Sequence, residues 1–196
     1  MKRLISFFMI TLLVLSTIFS VSAAPFSDVQ DTDYFAPAAS LLKEFGVLDG
    51  YPDGTFKPQN SITRAEMAAI VCRLIAKDEE ASLLVGETEF LDVPNEHWAT
   101  GYINYASSTG IINGDGDGNF RPGDPVKYEE AIKMVVCALG YGEEIEIDPE
   151  DWSSGYIKLA EDKGITKNLT GQKGIAATRG DIAVMAYNGA NLNIPY

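Results

Sequence analysis

The chain has 196 residues, 46% of them hydrophobic, and a formal charge of −13 from 28 acidic and 15 basic side chains. Such a charge repels phosphate backbones and anionic lipid, which sets nucleic acid and acidic membrane surfaces aside as partners. One histidine and two cysteines leave little material for metal or nucleophilic chemistry.

Lys2 and Arg3 precede an apolar run from Ile5 to Phe19, and Val21-Ser22-Ala23 follows it with small residues. This order predicts a secretory signal peptide over residues 1–23, so the protein is expected to be exported. The run falls short of the ~20 residues a spanning helix needs, and no later stretch is apolar enough, so no membrane insertion is expected. Without Lys2 and Arg3 the formal charge becomes −15. The remaining length, about 170 residues, suits one compact domain.

Residues 26–75 form a first unit. Tyr34, Ala38, Leu41, Leu42 and Phe45 recur at helical spacing, and Gly46 supplies the stop. Val47-Leu48 is a short apolar run, Asp53-Gly54 a turn, and Phe56 a return to the core. A second helix then begins at Ile62-Thr63-Arg64-Ala65-Glu66-Met67. Thr63 and Glu66 make a capping box, with Ile62 and Met67 as a hydrophobic staple.

Residues 76–89 are an acidic insertion, and residues 90–140 repeat the first unit. Phe26-Ser27-Asp28-Val29 returns as Phe90-Leu91-Asp92-Val93. Gly50-Tyr51-Pro52-Asp53-Gly54-Thr55-Phe56-Lys57-Pro58 returns as Gly114-Asp115-Gly116-Asp117-Gly118-Asn119-Phe120-Arg121-Pro122, in the same register of 64 residues. The cap is altered here, and Asp124 with Pro125 is expected to start the second helix slightly earlier. A worn third unit spans 145–190. Trp152 and Tyr156 match Trp98 and Tyr102, and Thr178-Arg179-Gly180-Asp181 echoes Thr63-Arg64-Ala65-Glu66. The loop between has lost three residues and the Asp-Gly-x-Phe-x-Pro signature. Each unit reads as helix, loop, helix, and such units bury their apolar faces against one another.

The combination of Phe-x-Asp-Val, Gly-x-x-Asp-Gly-x-Phe-x-Pro and Ile-Thr-Arg-Ala-Glu resembles the S-layer homology repeat, twice clearly and once in degenerate form. The resemblance implies an all-α module of three repeats with pseudo-threefold symmetry and grooves between neighbouring repeats. It also implies non-covalent anchoring at the cell surface of a bacterium with a Gram-positive type of envelope. The implied ligand is secondary cell-wall polysaccharide on peptidoglycan, often carrying a pyruvate ketal, and other surface-layer proteins are possible neighbours. An alternative is a structural or protein-interaction module that keeps the fold and has lost polymer binding.

Arg64 and Arg179 are the candidate anion-binding residues. Each sits near N1 of its helix, where a cation opposes the helix dipole. An incoming carboxylate would meet a bidentate donor there, beside free backbone N–H groups. Tyr128 holds the equivalent place in the second unit. Trp98, Trp152 and Tyr34 share one slot that reads first as core and second as a sugar-stacking platform. Asp53 and Asp117 read as turn formers that could also accept sugar hydroxyls. Thr63 and Glu66 are explained by capping. Asp115-Gly116-Asp117-Gly118-Asn119 lacks the glycine and glutamate that a calcium loop requires further on. Cys72 and Cys137 are not equivalent between units and read as small packed side chains, with a disulfide as the lesser alternative. No catalytic constellation, cofactor motif or metal spacing appears, so a non-enzyme is expected.

Overall fold

The computed structural model describes residues 25–192, so the signal peptide expected over 1–23 lies outside the described residues. Seven α-helices follow in order: α1 (Ala36–Glu44), α2 (Arg64–Leu74), α3 (Asp78–Ser82), α4 (Thr100–Ser108), α5 (Tyr128–Ala138), α6 (Ser154–Asp162) and α7 (Arg179–Leu192). Among the described residues there is no strand, only three isolated antiparallel bridges. The fold is all-α, as the repeat pattern predicts.

The first helix of each unit packs on the second helix of the unit before it. Thus α4 lies on α2, α6 on α5, and α1 closes the circle on α7. The second helices, α2, α5 and α7, pack on one another at the centre. Their sequences suit that place. Met67 to Cys72 in α2 and Ile182 to Ala186 in α7 are buried without a break, which marks helices that are apolar all round. The short acidic insertion contributes α3, which covers α4 and part of α2.

The ring is also closed through the backbone. The first amides of a helix have no partner within it and must find one outside. Arg64 N–H donates to Asp124 O at 2.9 Å, Tyr128 N–H to Ile175 O at 2.9 Å, and Arg179 N–H to Asn60 O at 2.8 Å. Each second helix is therefore capped by a carbonyl of the next unit in the circle. The bridges Thr63 to Pro125, Lys127 to Ala176 and Ser61 to Thr178 mark the same three seams.

These seams correct the helix start expected in the second unit. Helix α5 begins at Tyr128, not at Pro125. Asp124 O and Pro122 O are engaged by the Arg64 and Ala65 amides of α2, and Val126 N–H donates to Ile62 O. That stretch is held extended as a partner of the first unit and is not available for helix. Glu130 still accepts from Lys127 N–H at 2.9 Å, which keeps half of a capping box. In α2 the box is complete: Glu66 N–H donates to Thr63 Oγ1 at 3.2 Å and Thr63 N–H to Glu66 Oε2 at 2.8 Å.

The aspartates of Phe-x-Asp-Val hold each loop against its own unit. Asp28 accepts from Phe56 N–H at 2.6 Å and Lys57 N–H at 2.8 Å, and Asp92 accepts from Phe120 and Arg121 in the same way. Lys57 and Arg121 both adopt positive φ, 54° and 58°, a left-handed conformation that the two carboxylate bonds stabilise. Cys72 and Cys137 are free thiols, Cys72 buried and Cys137 partly so.

Candidate functional site: clefts between repeats

Two of the three seams open into equivalent clefts. The first, of about 510 Å³, is walled by Arg64 of α2, by residues 111–115 of the second unit, by Glu130 and Lys133 of α5, and by Trp152 and Tyr156 of the third unit. The second, of about 230 Å³, is walled by Arg179 of α7, by residues 47–51, by Glu66 and Arg73 of α2, and by Trp98. Each cleft therefore joins an arginine from one unit, a loop from the next and a tryptophan from the one after. The larger lies within the range typical of small-ligand sites.

Within each cleft the arginine is held in the same way. Arg64 is 8% exposed; its Nε donates to Phe120 O at 2.7 Å and its Nη2 to Asn113 O at 3.2 Å. Its guanidinium lies 4.9 Å from the centre of the Phe120 ring. Arg179 donates through Nε to Phe56 O at 2.8 Å and through Nη2 to Asp49 O at 2.7 Å, and it lies over Tyr51 and Phe56. Arg64 Nη1 also pairs with Glu130 at 3.1 Å, and Nη2 lies 3.8 Å from Asp115. The free N–H donors expected beside Arg64 are not free. The amides of Arg64 and Ala65 are bonded to Asp124 O and Pro122 O.

The aromatic slot is not core. Tyr34, Trp98 and Trp152 are 52%, 57% and 42% exposed, which overturns the first reading of that slot. Trp98 and Trp152 stand at the cleft rims, each edge-to-face with a tyrosine in the first turn of the helix that follows: Tyr102 at 6.3 Å and Tyr156 at 6.2 Å. A half-exposed indole beside polar groups can stack a sugar face while its edge stays packed. Gly50 and Gly114 line the second and first clefts respectively. A Cβ on Gly50 would lie 2.4 Å from the Phe26 ring, and one on Gly114 would lie 2.8 Å from the Phe90 ring.

Asp53 and Asp117 line neither cleft. Asp53 accepts from Thr55 N–H at 3.0 Å, and these bonds with Thr55 hold its carboxyl down at about 2. Asp117 accepts from Asn119 N–H at 3.0 Å and pairs with Arg121 at 2.7 Å. Asp115 also pairs with Arg121. Both are turn carboxylates occupied by their own loop.

The third seam differs. Tyr128 stands in the arginine position, 7% exposed, with its ring pressed on Gly171, where a Cβ would lie 2.0 Å from the ring. The shortened loop and the tyrosine fit each other. On the far side Tyr34 donates its hydroxyl to Asp181 at 3.0 Å, and burial is the main cause raising its pKa to about 12. A cleft of about 580 Å³ beside Tyr128, Leu169 and Gly171 has no arginine.

Sequence reasoning missed Asn113, Glu130 and Lys133 in the first cleft. Lys133 is the one whose sequence setting carries a signal. It sits in the register of Ala69 and Val184, a lone charge between buried Ile132 and Met134.

The comparison with known proteins agrees with this architecture. The S-layer homology domain model matches residues 25–68 and 89–132. The chain is 33% identical over 165 residues to a cell surface protein of Thermoanaerobacter kivui, covering 84% of this chain and 21% of that protein. It is 34% identical over 124 residues to a cellulosome-anchoring protein of Acetivibrio thermocellus, covering 62% of this chain and 27% of that one. It is 30% identical over 178 residues to the exoglucanase XynX of the same species, covering 83% of this chain and 16% of the enzyme. The chain thus spans about a quarter or less of the length of these relatives. Residues 25–68 and 89–132 thus each carry the sequence pattern of an S-layer homology domain.

Proposed function

We propose that the chain anchors to the bacterial cell wall by non-covalent binding of secondary cell-wall polysaccharide, with a pyruvate ketal as the anionic group recognised. The observation that carries this reading is the first cleft, where a buried arginine, a lysine and a half-exposed tryptophan from three different units face one space. An acidic chain holds an anionic ligand only through local cations at short range, and this cleft supplies them. Names among the relatives, a cell surface protein and a cellulosome-anchoring protein, point the same way. Residues 145–190 are then a third, diverged S-layer homology repeat, retained because α1 and α5 need α7 and α6 to cover them. Residues 1–23 direct export, and the working location is the cell wall, beside other surface-layer proteins. The chain itself is read as non-catalytic, its similarity to XynX covering a small part of that enzyme.

Co-sedimentation tests the reading. The exported chain, residues 24–196, should pellet with sacculi that retain secondary polymer and stay in solution with sacculi stripped of it. Equal behaviour with both would reject it.

One observation favours the rival, a structural module without polymer affinity. Arg64 and Arg179 spend their donors on the carbonyls of neighbouring loops, which is what a scaffold residue does. Under that reading neither preparation of sacculi binds.

A further inference from the structure

Along the central helix the two arginine-bearing clefts differ in where a second cation stands. Lys133 faces the first cleft from α5, where Ala69 faces the second from α2. The charges around it are already matched. Glu130 gives Oε1 to Arg64 at 3.1 Å and Oε2 to Lys127 N–H at 2.9 Å. Asp115 lies beside Arg64 and pairs with Arg121. Arg64 has Nε and Nη2 on carbonyls and Nη1 on Glu130. Lys133 is left over. Among the described residues its ammonium pairs with no carboxylate, and its polar neighbour is the Asn113 side-chain amide at 3.2 Å. Burial is the main cause lowering its pKa. In the second cleft the extra cation, Arg73, is spent: Nε pairs with Asp78 at 3.1 Å and Nη2 meets Tyr102 Oη at 3.1 Å.

A half-buried cation without an acid carries a desolvation cost that an incoming anion relieves. Resting on the polymer-binding reading above, we propose that Lys133 is the residue by which this chain selects a carboxylate-bearing sugar over a neutral one. Arg64 holds the cleft wall, and Trp152 offers the sugar a face. The second cleft, lacking such a cation, does not discriminate by charge.

Two probes isolate the charge: a methyl hexoside carrying a 4,6-O-carboxyethylidene (pyruvate) ketal, and the same glycoside with an isopropylidene ketal, in which methyl replaces carboxylate. Calorimetric titration of residues 24–196 should show the acidic ketal binding about tenfold tighter or more, the scale of one charge-assisted hydrogen bond. Lys133→Met, close in length and uncharged, should bring the two affinities together by weakening the acidic ketal's binding, and it should not lower the melting temperature, since it removes a half-buried charge that has no carboxylate partner. Lys133→Arg should keep the preference. A preference that survives Lys133→Met overturns the assignment, as does a wild-type chain that binds both ketals alike. If neither ketal binds while sacculi still pull the chain down, the lysine proposal falls and anchoring stands. If sacculi also fail, both fall.

Discussion

Arg64 lies across the Phe120 ring and donates to the Phe120 carbonyl at 2.7 Å, so one residue of the first unit clamps the loop of the second by side chain and backbone at once. Arg179 does the same to Phe56 at 2.8 Å, tying the third unit to the first. Both arginines are structural before they are anything else. Arg64→Ala would leave Glu130 without its partner and two loop carbonyls without donors. The expected loss of stability is about 2–4 kcal/mol, read as a shift in urea midpoint. Arg64→Lys should recover little, because a lysine cannot serve two carbonyls and a carboxylate in one plane. An unchanged midpoint for Arg64→Ala would show that the clamp contributes nothing.

Thr63→Ala should cost about 1 kcal/mol, the usual loss for one helix cap. Thr63 bonds Glu66 and lies outside both cleft walls, so affinity per folded molecule should not change. A loss of affinity without a loss of stability would mean that Thr63 touches ligand.

Ending the chain at Gly140 should abolish folding. Helix α1 would lose α7, α5 would lose α6, and the Arg179 and Gly180 amides that close the seam on Asn60 and Pro58 would go with them. Repeat units of this kind draw their stability from interfaces. The expected product aggregates or lacks a cooperative melt. Dispersed amide signals and a sharp transition from residues 24–140 would show that two units suffice.

Acid should weaken the fold over a defined window. Asp151 is held at about 2 chiefly by Lys173, and Asp53 at about 2 chiefly by Thr55. Carboxylates with depressed folded-state values stabilise above their unfolded value near 3.8, and that stability is lost as pH falls toward 2. The melting temperature should therefore drop between about pH 4 and pH 2, and Asp151→Asn should flatten part of the drop. Identical pH profiles for Asp151→Asn and wild type would rule out the contribution of this pair.

What was legible in the sequence was local or repeated. The capping box of Thr63 and Glu66 needs only residues three apart, and the glycine stop of α1 needs only Gly46, which has φ +67°. The unit register was legible because 64 residues separate each matched pair. The ring closure was not, since it depends on Asn60 meeting Arg179 across the whole chain. Trp98 and Trp152 looked like core because a large aromatic near a helix start usually is, yet they stand just before α4 and α6 and remain 57% and 42% exposed. Asp124 looked like a cap for α5 because nothing nearby shows that its carbonyl serves α2. Lys133 was not legible because a repeat pattern shows what the units share, and Lys133 is matched by Ala69 and Val184 in the others.

The clefts rimmed by Trp98 and Trp152 are the proposed seat of cell-wall polymer. The chain has two tryptophans, and each stands at a cleft rim, so intrinsic fluorescence reports on both sites without a label. Secondary polymer released from sacculi should produce a saturable change in tryptophan emission, at concentrations that also displace the chain from intact sacculi. A flat titration with polymer that nonetheless competes the chain off the wall would place binding elsewhere on the molecule and contradict the account.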